Sequence, residues 1–169
     1  MMGVKPLMTD KKFQTACFTG HREIRSQDSN LKETLKKILI GLINQGYIYF
    51  GAGGARGFDA LAAETVLELK QQYSQISLIL VLPFENQFCK EQGWTVQEIK
   101  QYQELKQQAR KVVHLQKEYS KGCYYRRNRH LVDFSSVCIC YQYKETGGTA
   151  YTTEYARSKN VQIINCIEV

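Results

Sequence analysis

At 169 residues, with 43% hydrophobic and 23% charged residues, the chain is most simply one domain with a proper core, and disorder is excluded as its default. No apolar run approaches the ~18–20 residues that cross a bilayer, and residues 1–12 lack the apolar stretch of a signal peptide, so a cytoplasmic domain with a flexible N-terminus is expected. The net charge of +7 leans toward polyanionic partners such as nucleic acid, nucleotides or an acidic surface, with a solvated basic surface as the plain alternative.

Residues 13–18 read as a first strand, from whose end Thr19-Gly20-His21-Arg22 departs. After a polar linker, helical spacing runs through Leu31, Leu35, Ile38, Leu39, Leu42 and Ile43 and stops at Gly46. A short apolar strand, residues 47–50, leads into Gly51-Ala52-Gly53-Gly54-Ala55-Arg56-Gly57-Phe58-Asp59, and a helix follows from about residue 57 to 73. Residues 76–82 are nearly continuous in branched aliphatics, as a strand covered on both faces requires, and Pro83 ends them. The aromatic, irregular segment 84–94 precedes a Gln-rich helix over 96–110 and a short strand at 112–115. A helix over 122–133, a buried strand over 137–141, a helix from Gly147 to about Lys159 and a last strand over 161–166 complete the chain.

Strands that alternate with helices predict right-handed crossovers. The expected fold is therefore an α/β, Rossmann-like, doubly wound and mainly parallel six-stranded sheet with helices on both faces, in a single domain over 1–169. A ligand site in such a sheet lies beyond the carboxyl ends of the strands, where the strand order reverses. For a 3-2-1-4-5-6 order that point falls between the first and fourth strands. The six cysteines offer no metal-ligand spacing, and buried reduced thiols are the expectation.

Three loops carry donors where the site should be. The first has Thr19, Gly20, His21 and Arg22, whose guanidinium suits a phosphate or carboxylate, in place of a dinucleotide-type G-x-G-x-x-G. The second has Gly53, Gly54, Arg56, Gly57 and Asp59 at a strand–turn–helix junction whose outward, unpaired N–H groups would favour an anion. Asp59 suits either a ribose hydroxyl or a helix cap. The third has Gly147, Gly148 and Thr149 opening a helix with few carboxylates in its first turn, the better phosphate cradle. Tyr124-Tyr125-Arg126-Arg127-Asn128-Arg129-His130 adds guanidinium and aromatic groups able to hold phosphates and stack bases, or to form an ordinary helix face.

These residues resemble the SLOG superfamily of Rossmann-like domains, related to the DNA-processing protein DprA and the LOG (Lonely Guy) enzymes, with the YpsA-like branch closest. The similarity is carried by Phe18-Thr19-Gly20-His21-Arg22, Gly53-Gly54-Ala55-Arg56-Gly57-Phe58-Asp59, Leu82-Pro83-Phe84-Glu85, Arg127-Asn128 with Asp133, and Gly147-Gly148-Thr149-Ala150-Tyr151-Thr152 ahead of Tyr155-Ala156. The resemblance implies binding or sensing of a nucleotide-derived ligand of nucleotide, NAD or ADP-ribose type, with a link to bacterial cell division or stress response. Two alternatives accompany it: nucleotide hydrolysis of the LOG phosphoribohydrolase type, and DprA-like binding of single-stranded DNA. The LOG loop P-G-G-x-G-T-x-x-E places a Glu where this chain has Thr152, and Glu154 lies two residues on, a helical rotation of roughly 200°. No catalytic residue, metal or firm cofactor is assigned; nucleic acid and a second copy of the chain stay open as partners.

Overall fold

The computed structural model describes residues 8–169. The expected flexible N-terminus therefore lies outside the described residues over 1–7, while Met8–Gln14 form a 3-10 turn. Six parallel strands follow in the order β4-β3-β2-β1-β5-β6. They are β1 (Thr15–Gly20), β2 (Tyr49–Ala52), β3 (Ser77–Leu82), β4 (Lys111–His114), β5 (Val137–Tyr141) and β6 (Gln162–Asn165). The helices are α1 (Leu31–Asn44), α2 (Phe58–Lys70), α3 (Val96–Gln108), α4 (Cys123–Asp133) and α5 (Gly148–Ser158).

The first strand runs two residues later than its sequence suggests. Phe13 is 65% exposed and no ladder partner covers it; pairing begins at Thr15↔Tyr49 and reaches Gly20↔Tyr141. Gly20 thus ends the strand directly under Phe58, whose ring occupies the space a Cβ would need.

The sheet order also differs from 3-2-1-4-5-6, because β4 lies outside β3 and the reversal falls between β1 and β5. Burial explains this. Lys-Val-Val-His in β4 is only partly covered, which fits an edge, whereas all of Val137–Tyr141 is buried and must sit inside the sheet. Consecutive crossovers α1, α2 and α3 step outward along one face, where Leu35, Leu39, Ala62, Val66 and Leu105 pack with Phe50, Leu78 and Leu80. α4 then carries the chain back across β3 and β1 on the other face, where Leu131 and Val132 join Cys17, Val81 and Cys138, and α5 follows on that side with Ala156. The return leaves the loops after β1 and β5 diverging to opposite faces, which opens a crevice at the carboxyl rim.

Candidate functional site

A cleft of about 510 Å³ fills that crevice. Eleven of the fourteen residues expected at a site line it: Thr19, Gly20, His21, Arg22, Gly53, Arg56, Asp59, Arg127, Asn128, Gly148 and Thr149. Gly54 and Gly57 face a separate hollow of about 210 Å³ between α2 and α3, and Gly147 lines neither.

The glycine turn after β2 is not the open anion cradle that its sequence suggests. Asp59, in the first turn of α2, folds back so that one carboxylate oxygen accepts from the amides of Gly53 (2.9 Å) and Ala55 (2.8 Å). Those donors are consumed inside the protein. Arg127, reaching from α4, donates through Nη1 to the Gly53 carbonyl and through Nε to Asn128 Oδ1 at 2.7 Å. Gly53 has no side chain because the Arg127 stem fills that place. Burial pushes the Asp59 carboxyl up and the Arg127 guanidinium down, and their mutual attraction opposes both shifts. Asp59 and Arg127 therefore form the cleft floor: two buried, oppositely charged groups that hold the glycine turn from α2 and from α4, meeting at Gly53 rather than in a direct ion pair.

Arg56 has a related use. Its guanidinium donates to the Gly93 carbonyl at 3.0 Å, lies 5.0 Å from the Trp94 ring centroid and approaches Glu91 and Glu98 at 3.9 and 3.7 Å. It pins the segment between β3 and α3 against the glycine turn. Trp94 packs edge-on against Tyr102 and donates to Glu91, so this aromatic segment forms a fixed wall.

The wall supplies residues that the sequence did not single out. Gln87 is 1% exposed and donates to the Gly54 carbonyl at 2.6 Å; Glu91 accepts from Tyr124 Oη at 2.7 Å. Burial first, then Glu91, raises the Tyr124 phenol's pKa. The only signal for Gln87 and Glu91 was their position in a loop at the carboxyl end of a central strand.

Across the cleft the chemistry is different. Gly147 adopts φ +94° and no side chain caps α5, whose first turn carries no carboxylate. The first main-chain bond at this end runs from Tyr151 N to Gly147 O, so the amides of Gly148, Thr149 and Ala150 have no main-chain partner among the described residues. They sit at the positive end of the helix dipole. Arg22 is exposed on the opposite lip, and its guanidinium pairs with no carboxylate among the described residues. Two of the three predicted loops thus keep free donors, and one has spent them on structure. Five of the six cysteines are buried, and all six are free thiols.

Residues 16–168 match the family model of YpsA, the YspA SLOG family. A UPF0398 protein of Halalkalibacterium halodurans is 28% identical over 135 residues, covering 78% of this chain and 70% of the relative. One of Levilactobacillus brevis is 38% identical over 74 residues, 39% of each chain. Among solved structures, DNA processing protein A of Helicobacter pylori, which binds single-stranded DNA, superposes with a TM-score of 0.65 at 20% identity. That match covers 92% of this chain but 65% of the neighbour. The protein TM1055 superposes with a TM-score of 0.54 at 17% identity, covering 89% of this chain and 72% of TM1055. These two likenesses are of fold.

Proposed function

The chain belongs to the YpsA SLOG family, and from that premise we propose that it binds a nucleotide-derived ligand in the cleft between β1 and β5. The phosphate sits on the uncapped amides of Gly148 and Thr149, Arg22 closes on it from the facing lip, and Tyr124 and Tyr125 border the base or ribose end. The observation that carries this reading is the carboxylate-free start of α5, with unused donors, facing an unpaired arginine across an open cleft. We further propose, from the family resemblance, that the protein acts as a cytoplasmic sensor or adaptor tied to bacterial cell division or stress response.

The test is thermal unfolding against a panel of nucleotides, NAD and ADP-ribose. A ligand present at 100 times its Kd stabilises by ~2.7 kcal/mol, roughly 5–11 °C for a domain of this size. No shift with any compound would refute the reading.

Single-stranded DNA is the second reading. It draws on the H. pylori neighbour and on Tyr125, which is exposed beside the cleft with its ring 4.5 Å from Tyr151, whose hydroxyl accepts from Arg129. A complex that forms at low salt and weakens steeply as salt rises would support it; no gel shift at low salt would end it.

Hydrolysis of the LOG type has less support. Thr152, at the position of that loop's Glu, is buried with its hydroxyl donating to the Gly148 carbonyl, and Glu154 lines a hollow elsewhere, with Arg157 and Asn165. Intact nucleoside monophosphates after long incubation would remove it.

A further inference from the structure

One side chain joins the two lips of the cleft. His21 is held three ways. Its amide donates to the Tyr141 carbonyl at the end of β5, and its carbonyl accepts from Phe58 at the start of α2, both at 3.2 Å. Its ring nitrogen Nε2 accepts from the Lys144 amide, also at 3.2 Å. Lys144 belongs to the segment that leads into α5. The same segment is braced by Tyr143, whose ring lies 4.3 Å from the imidazole and whose hydroxyl donates to the Glu23 carbonyl.

An imidazole nitrogen that accepts a main-chain N–H carries no proton of its own, so the hydrogen sits on Nδ1. Protonation would put a second donor against the Lys144 N–H. It would also place a positive charge in a half-buried site beside the Lys144 ammonium and the Arg25 guanidinium; burial first, then these two charges, lower the His21 pKa. The other groups around the ring do not offset this. Tyr141 and Tyr143 bring only their aromatic rings near the imidazole, and Asp28 is engaged by Arg25 and by the Tyr141 hydroxyl.

We infer that His21 is a positioning residue: as a neutral imidazole it ties the segment 142–147 to the β1 loop and holds the amides of α5 in the cleft, and its protonation releases them. The inference rests on the proposed binding of a phosphate-bearing ligand at α5. It predicts the sign of the pH dependence. A histidine that met the phosphate as a cation would tighten binding in acid; a histidine that must stay neutral to hold the lip weakens it.

ADP-ribose is a suitable probe because neither phosphate of its diester titrates between pH 5 and 8. We predict that its Kd rises by about tenfold for each pH unit below the His21 pKa, the limit for one linked proton. Glutamine places its terminal amide where Nε2 lies and does not titrate. His21→Gln should therefore bind within about threefold of the parent at pH 7.5 and show a flat profile down to pH 5.5, whereas His21→Ala should bind at least tenfold more weakly at both. Nitrogen NMR of the ligand-free protein reads the tautomer independently.

An Nε2–H tautomer, an imidazolium at pH 7, tighter binding in acid, or an unchanged profile in His21→Gln would each overturn the inference. The expected tautomer together with no binding at either pH would bring down the ligand reading instead, and the positioning role with it.

Discussion

Replacing Asp59 with alanine removes the carboxylate that satisfies the Gly53 and Ala55 amides and weakens the electrostatic support of the buried Arg127. Bonds from neutral donors to a charged acceptor contribute about 1.5–3 kcal/mol each. Losing both, with some relaxation around the shared oxygen, gives an expected destabilisation of about 3–5 kcal/mol. At about 2–4 °C per kcal/mol for a chain of this size, the melting temperature should fall by about 6–20 °C. Urea denaturation at pH 7 measures this directly, with an m-value unchanged from the parent. Arg127→Met should cost a similar amount. The double variant should cost clearly less than the sum, because each single change already loosens the glycine turn that both groups hold. A loss under about 1 kcal/mol for Asp59→Ala, or strict additivity, would refute the claim that this pair is the floor of the cleft.

Gly57→Ala should cost about 2 kcal/mol or more in the same assay, since the residue holds φ +78° and a Cβ would collide with the Arg22 carbonyl. Arg22→Ala and Gly148→Val should leave the melting temperature within about 2 °C of the parent, a Cβ at Gly148 meeting nothing within 4 Å. Both should weaken ADP-ribose binding at least tenfold by calorimetry. Hydrogen bonds from Arg25 first, then from Tyr141, lower the Asp28 pKa. The stability Asp28 adds is therefore present above the unfolded carboxyl's pKa of about 4 and lost as pH falls through the lower folded value. Melting curves of parent and Asp28→Asn should differ most near neutral pH and converge below about pH 4; a gap that widens in acid would contradict the assignment.

Much of the architecture was readable from local patterns. Apolar runs at 76–82 and 137–141 marked two interior strands, and Gly46 and Gly147 marked a helix end and a helix start. The strand order was harder, because it depends on which faces become covered. The strand expected at 112–115 proved to be Lys111–His114, and its partial cover against the full burial of Val137–Tyr141 separates edge from interior only once the fold is known. The candidate site divided along a similar line. Residue types in three loops and the 124–130 segment indicated where donors would gather, and nine residues of those loops line one cleft together with Arg127 and Asn128. Which donors remain free could not be read from spacing. Asp59 takes the amides of the glycine turn only because the helix start folds it back, and Arg127 reaches Gly53 across 74 positions of sequence. Gln87 and Glu91 carried no motif, and only tertiary packing brings them to the cleft wall.

A crystal structure of the protein with ADP-ribose tests the central claim most directly. The account predicts a phosphate oxygen at about 2.7–3.2 Å from the Gly148 or Thr149 amide, with the Arg22 guanidinium on the same group. Density for the ligand in the α2–α3 hollow, on the far side of α5, or nowhere at saturating concentration would contradict it.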